Sequence, residues 1–226
     1  MAYRLSTFLY PNFDMRNQLK ERWHILGRQC TDQHELLDQL WMEISDHYQE
    51  SHRHYHNFTH LQHLFQEYDE YETSLVDAQA VAFAIWYHDI IYKTTSKRNE
   101  EKSAELAVRR LRQLALSEDR LQRIFDLIMA TKGHQLPVGN DSRDMAYFLD
   151  FDLCILGSSP EKYQQYSQQI RQEYHLIPGM LYRPGRIKVL RHLLEQDFLY
   201  KTVAYQEAFE QQARENLKWE IAQLAR

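Results

Sequence analysis

Cysteine is nearly missing from this chain: Cys30 and Cys154 are the only two in 226 residues. Two thiols cannot build a disulfide framework, and no Cys-x-x-Cys pair offers a thiolate zinc or redox site. A reducing, cytoplasmic setting is expected. Glycine (6) and proline (5) are also scarce, which excludes collagenous, linker-like and low-complexity chains. Positive charge is not in excess: 27 Lys and Arg face 32 Asp and Glu, a net charge of −5, so no field favours duplex nucleic acid or an anionic membrane. The longest apolar run, Ala78 to Tyr87, falls far short of the ~20 residues a bilayer demands, and the N-terminal residues lack the apolar core of a secretory signal.

What remains is a chain 43% hydrophobic and 26% charged, enough to bury a sizeable core as one domain spanning 1–226. Apolar residues recur at helical spacing almost throughout. The pattern predicts helices over Asp14–Gln29, Gln33–Tyr48 (capped by Thr31 or Asp32), Asn57–Tyr71 and Asp77–Tyr92. Further helices are predicted over Asn99–Leu116, from Ser117 to Thr131, from a Ser142 cap to Leu156, and from Ser159-Pro160 to Tyr174. Pro178-Gly179 and Pro184-Gly185 are read as bracketing a loop, followed by helices over Arg186–Tyr200 and Tyr205–Ala225. Gly133–Asn140 is expected to be loop. No strand signal appears, so the predicted fold is all-α, a bundle of nine to ten helices.

Three clusters carry chemistry. Six of the 12 histidines crowd between His47 and His63, and among them His56 and His60 stand one helical turn apart. His88-Asp89 lies in the run Ala-Phe-Ala-Ile-Trp-Tyr, where burying an imidazole beside an ionised carboxylate costs several kcal/mol unless a partner compensates. A cation is the simplest partner, with Lys93 one turn on as the plain alternative. Asp150 and Asp152 sit in a third apolar stretch; residues two apart on a helix point about 200° apart, so only one faces any given cavity. Imidazole and carboxylate without thiolate suit a divalent ion such as Mn, Fe, Co, Zn or Mg. Such an ion acidifies water and polarises a phosphoryl oxygen.

The order His60, His88-Asp89 and a distal Asp resembles the HD superfamily of metal-dependent phosphohydrolases, all-helical proteins defined by His, His-Asp and Asp ligands. Tyr55-His56-Asn57-Phe58-Thr59-His60 is also similar to a motif of cyclic-nucleotide phosphodiesterases in that superfamily. The resemblance implies that His60, His88, Asp89 and one of Asp150 or Asp152 hold the metal and that His56 is the general acid. Asp152 is favoured because it precedes Leu153, as distal ligands in such proteins often precede Leu or Arg-Leu. The pattern Tyr-His-Asn, His-Asp followed by Tyr92, Asn99-Glu100-Glu101 and Leu156-Gly157 resembles a bacterial group of predicted HD phosphohydrolases of this length. The metal-site core would span about 52–157, with C-terminal helices 158–226 packing on it.

The resemblance further implies a catalytic pair of His56 and Asp89, with Asp89 both ligand and orienter of water. His134 lies where some HD proteins place an extra metal or phosphate ligand, and with Lys132 is assigned to substrate binding. Lys97, Arg98 and Arg186 are further candidate phosphate contacts, and Glu100 and Glu101 candidate supports for the histidines. The expected activity is hydrolysis of a small anionic phosphate ester or nucleotide. Tyr92 stands where animal cyclic-nucleotide phosphodiesterases carry a third His, which argues against cyclic nucleotides. Two other readings stand beside it: a di-iron oxygenase of the HD type, for which His175 would be needed as an extra ligand, and a helical binding domain with a structural metal. A homodimer is left open.

Overall fold

The segment that is apolar all round becomes the centre of the fold. The computed structural model describes residues 11–137 and 143–226, with side chains of the first helix described from Met15. Among these residues the protein is all-helical: α1 (Pro11–Arg28), α2 (His34–Tyr48), α3 (Phe58–Tyr71), α4 (Ala78–Tyr87), α5 (Asn99–Leu111), α6 (Glu118–Ala130), α7 (Arg143–Leu153), α8 (Pro160–Glu173), α9 (Gly179–Leu194) and α10 (Val203–Leu224). Among the described residues three short 3-10 turns follow α3, α5 and α7, and there is no strand. Every residue of α4 from Ala80 to Tyr87 is buried, because α3, α5, α6 and α7 all pack against it. Trp23 of α1 closes that core with edge-on contacts to Phe83, Trp86 and Tyr87 at 5.8–6.2 Å between ring centres.

The C-terminal helices attach through the 3-10 turn Cys154–Gly157, against which α8 and α10 lie. Gly157 is required there: a Cβ would come within 2.6 Å of Phe209 and 3.0 Å of its carbonyl oxygen. Asn216 of α10 then donates to the carbonyls of Leu156 and Ser158, at 2.8 and 2.9 Å.

Several boundaries differ from the periodicity, each for a local reason. The helix expected over Asp77–Tyr92 stops at Tyr87, where carbonyls on either side of that point have other donors. Tyr48 donates to Trp86 O, and Arg53 donates to Asp89 O and Ile90 O. The helix predicted to begin at Asn57 starts at Phe58 instead, with Asn57 as N-cap accepting from Thr59 N, a contact worth ~1 kcal/mol. Neither Thr31 nor Asp32 caps α2; the cap position is Gln33, without a side-chain bond. The helices expected to reach Leu116 and Leu156 end at Leu111 and Leu153 and tighten into 3-10 turns.

Pro184-Gly185, read as part of a loop, lies inside α9. The carbonyl that Pro184 leaves without an amide donor belongs to Met180, which is 88% exposed and can be hydrated. That helix ends at Leu194 rather than Tyr200, because the next amides are claimed elsewhere: Leu199 and Tyr200 donate to Glu210, and Lys201 and Thr202 to Asp150. The expected Ser142 cap and the end of the Gly133–Asn140 loop lie outside the described residues. Cys30 and Cys154 are both free thiols.

Candidate metal centre

Three elements place donors at one point. His60 occupies the first turn of α3, His88 and Asp89 follow the last turn of α4, and Asp152 comes from the last turn of α7. The imidazoles of His60 and His88 meet Nε2 to Nε2 at 3.1 Å. Asp152 Oδ1 is 3.3 Å from His60 Nε2 and 3.6 Å from His88 Nε2. Asp89 Oδ2 lies 3.2 Å from His88 Nε2 and 3.8 Å from His60 Nε2. Donors held about 2.1 Å from one ion are separated by about 3.0 Å in octahedral and 3.4 Å in tetrahedral geometry. His60, His88 and Asp152 therefore form a group that could hold a metal ion, with Asp89 at its edge.

The protonation pattern also fits a cation. His88 Nδ1 sits 2.9 Å from Ile85 O, a carbonyl that can only accept, so Nδ1 carries a proton and Nε2 faces the cluster. Burial lowers the pKa of His88, but Asp89 and Asp152 outweigh it and raise the value to about 9. Burial keeps His60 below its ordinary value despite Asp152. The His60 and His88 Nε2 atoms thus meet at 3.1 Å, at the point where a metal would sit. Burial opposes ionisation of Asp89 and Asp152, yet the surrounding imidazoles hold both well below the ordinary carboxylate range. Two partly buried acids beside two buried imidazoles call for positive charge, which one divalent ion would supply.

Asp150, the alternative distal acid, is directed elsewhere. Its carboxylate accepts from Lys201 N, Thr202 N and Thr202 Oγ1 at 2.6–2.8 Å and so fastens the start of α10. Burial lifts its pKa to about 6 in spite of those bonds.

His56 is not one turn before His60 on a helix; it precedes the N-cap of α3, in the loop. What holds it there is Glu173, at the end of α8, which the sequence did not single out. One oxygen of Glu173 accepts from the amides of His54, Tyr55 and His56 at 2.7–2.9 Å. The other is 2.7 Å from His56 Nδ1 and accepts from Tyr92 Oη at 2.8 Å. Three successive amides are thereby satisfied ahead of the N-cap of α3. Burial pushes Glu173 up, but His56 and the amides bring it down to about 2. Burial likewise lowers His56, and Asp89 and Glu173 reverse this to a net rise. With Nδ1 committed to Glu173, His56 Nε2 faces the cluster, 3.9 Å from Asp89 Oδ2.

Arg53 is a second missed residue. Buried against Tyr48 and Tyr92, its guanidinium bonds Glu50 and the carbonyls of His56, Asp89 and Ile90. It ties the loop carrying His56 to the turn carrying Asp89. Its only sequence signal was a charge in a His-rich connection.

Asp89, Asp152 and His56 line a cleft of 570 Å³, with His60 and His88 buried behind them. His134 reaches it from a left-handed backbone conformation (φ 48°), with Nε2 2.8 Å from Asp152 Oδ2. Lys132 lines the cleft but pairs with Glu101. Glu100 lines it too, and burial raises its pKa. Arg186 is bound to Glu220 at 2.8 and 3.1 Å and reaches Tyr166 Oη at 3.4 Å. Lys97 and Arg98 are exposed and away from the cleft lining, Arg98 lying 3.7 Å from Glu105. His175 is exposed and turned to its own Gln172 carbonyl, so it brings no donor to the cluster. No described helix is long and apolar enough to cross a membrane. Comparison with family models, curated proteins and solved structures returns no match to this chain.

Proposed function

We propose that the protein is a metal-dependent phosphohydrolase of the HD type, acting on a small phosphate ester or nucleotide. The observation that carries this reading is His56: an imidazole locked by Glu173, with its free nitrogen presented to a cleft beside a group able to hold a metal. A structural metal clip has no use for such a group.

His60, His88, Asp89 and Asp152 would hold the ion. A divalent cation there supplies Lewis acidity, polarising a phosphoryl oxygen and acidifying water. Asp89, with His88 on one side and His56 on the other, orients the attacking water and takes up its hydrogen bond. His56, kept protonated by Glu173 and Asp89, gives its Nε2 proton to the leaving oxygen; such a general acid contributes about 10²- to 10⁴-fold. Arg53 keeps the acid and the water-orienting carboxylate in register by bonding the backbones of both. His134 shares Asp152 with the centre and so fixes that carboxylate.

The test is elemental analysis of the protein as purified, then assay of that metallated form against pooled phosphomonoesters, phosphodiesters and nucleotides. Bound metal at near-stoichiometric level with phosphate-ester turnover is expected. Metal-loaded protein silent across the pool, or oxygen uptake with an iron-dependent absorbance, would overturn the proposal.

A further inference from the structure

The cleft has a second wall whose chemistry is unlike the first. Besides the metal donors, the lining takes Ile170 from α8, Ile177 from the connection after it, and Leu181, Tyr182 and Val189 from α9, and Leu181 and Val189 are 68% and 52% exposed. Both basic side chains of the lining, and several of its other polar groups, are engaged by the protein itself. Lys132 is paired with Glu101 and Arg186 with Glu220. Tyr92 Oη donates to Glu173, Thr131 Oγ1 to Ile128 O, and the Asn99 amide grips the backbone of Lys93. Sugar hydroxyls or base edges would find few unspent partners, and a polar group buried without one is costly.

Charge limits the anion as well. A divalent ion is already balanced by Asp89 and Asp152, and the fixed cations of the lining are neutralised by carboxylates behind them. A chain of phosphates would meet Glu100 with no compensating charge. Only one wall is apolar, so one organic group is accommodated.

From these walls we infer that the substrate is a phosphomonoester with a single phosphoryl group on an apolar, aryl- or alkyl-type alcohol. The inference rests on the phosphohydrolase reading for its chemistry and sharpens its substrate. In the reaction the oxygen of water bonds to phosphorus, and the P–O bond to the organic group breaks. His56 protonates the departing alcohol, and the proton lost by water returns through solvent.

The experiment is calorimetric titration of metal-loaded protein with methylphosphonate, phenylphosphonate, hexylphosphonate and the phosphonate analogue of glucose 6-phosphate. At about 0.8 kcal/mol for each methylene buried, the phenyl and hexyl compounds should bind at least about tenfold tighter than methylphosphonate, and the sugar analogue no tighter. The double variant Leu181→Ser with Val189→Ser alters exposed positions and should fold normally. It is expected to reduce the phenyl-to-methyl ratio at least about threefold. Equal binding of all four compounds, preference for the sugar, absence of binding, or an unchanged ratio in the double variant each overturns the inference. If the apolar gradient is found but phenyl phosphate and hexyl phosphate are not hydrolysed, the hydrolase reading fails and the recognition inference stands. Turnover of sugar phosphates in preference to phenyl phosphate would do the reverse.

Discussion

On one side of the cleft, His60, His88, Asp89 and Asp152 reach inward from three buried helix ends, and each is held by at least one further bond or charge. On the other side, Ile170, Leu181 and Tyr182 come from two C-terminal helices and offer shape and apolar surface. The first wall is over-determined. Ile85 O selects the tautomer of His88, Arg53 fixes the backbone of Asp89, Glu173 aims His56 and His134 steadies Asp152. Substitutions on the first wall should therefore alter chemistry sharply, whereas those on the second should change which molecule is preferred.

The largest effect should follow removal of an inner donor. His88→Ala or Asp152→Ala is expected to abolish stoichiometric metal, a loss well beyond the roughly 10- to 100-fold caused by deleting an outer hydrogen-bond partner of a ligand. Elemental analysis after gel filtration measures it, and a variant that kept its metal would erase the distinction between the walls. Next, His56→Gln should retain metal while kcat falls about 10²- to 10⁴-fold; loss of the metal instead would make His56 a ligand.

Glu173→Gln should keep the metal and reduce turnover about 10- to 100-fold, by analogy with other outer hydrogen-bond partners. Removing that negative charge lowers the pKa of His56, so the alkaline limb of the kcat profile should move to lower pH. An unmoved limb would reduce Glu173 to a purely structural part. The smallest effect is in wild-type protein. His88 has a pKa raised to about 9 and so carries at neutral pH a proton that an incoming ion must displace. Metal affinity should climb about tenfold per pH unit between about pH 7 and 9 and flatten above; a flat dependence across that range would contradict the raised pKa of His88.

Much of the architecture was legible because the period of the apolar residues is a direct consequence of burial on one helical face. That reasoning placed all ten helices but not their ends, which depend on which distant side chain intercepts a carbonyl or amide, as Arg53 does after α4 and Asp150 before α10. At the site, His88-Asp89 and the Asp150/Asp152 pair stood out because acids and imidazoles in an apolar stretch need a reason to be there, whereas His60 and the preference for Asp152 came from the resemblance to HD proteins. Asp150 satisfies the same criterion and serves an amide cap instead, so apolar surroundings alone do not separate the two acids. Glu173 left no trace, since a glutamate at the end of a polar helix is ordinary until folding lays it against His54, Tyr55 and His56. The apolar wall was hidden behind Pro184-Gly185, whose usual meaning as a loop was overruled by an exposed, hydratable helix start.

The left-handed turn at His134 has one more implication. An L-residue pays about 1–2 kcal/mol to sit at φ 48°, and only there does the imidazole reach Asp152. Glycine would occupy that position without protest, so His134→Gly should release backbone tension while loosening the hold on Asp152. At this single residue, folding robustness and the placement of a candidate ligand pull in opposite directions, and selection for thermal hardiness alone would be expected to erode the cluster from this corner first.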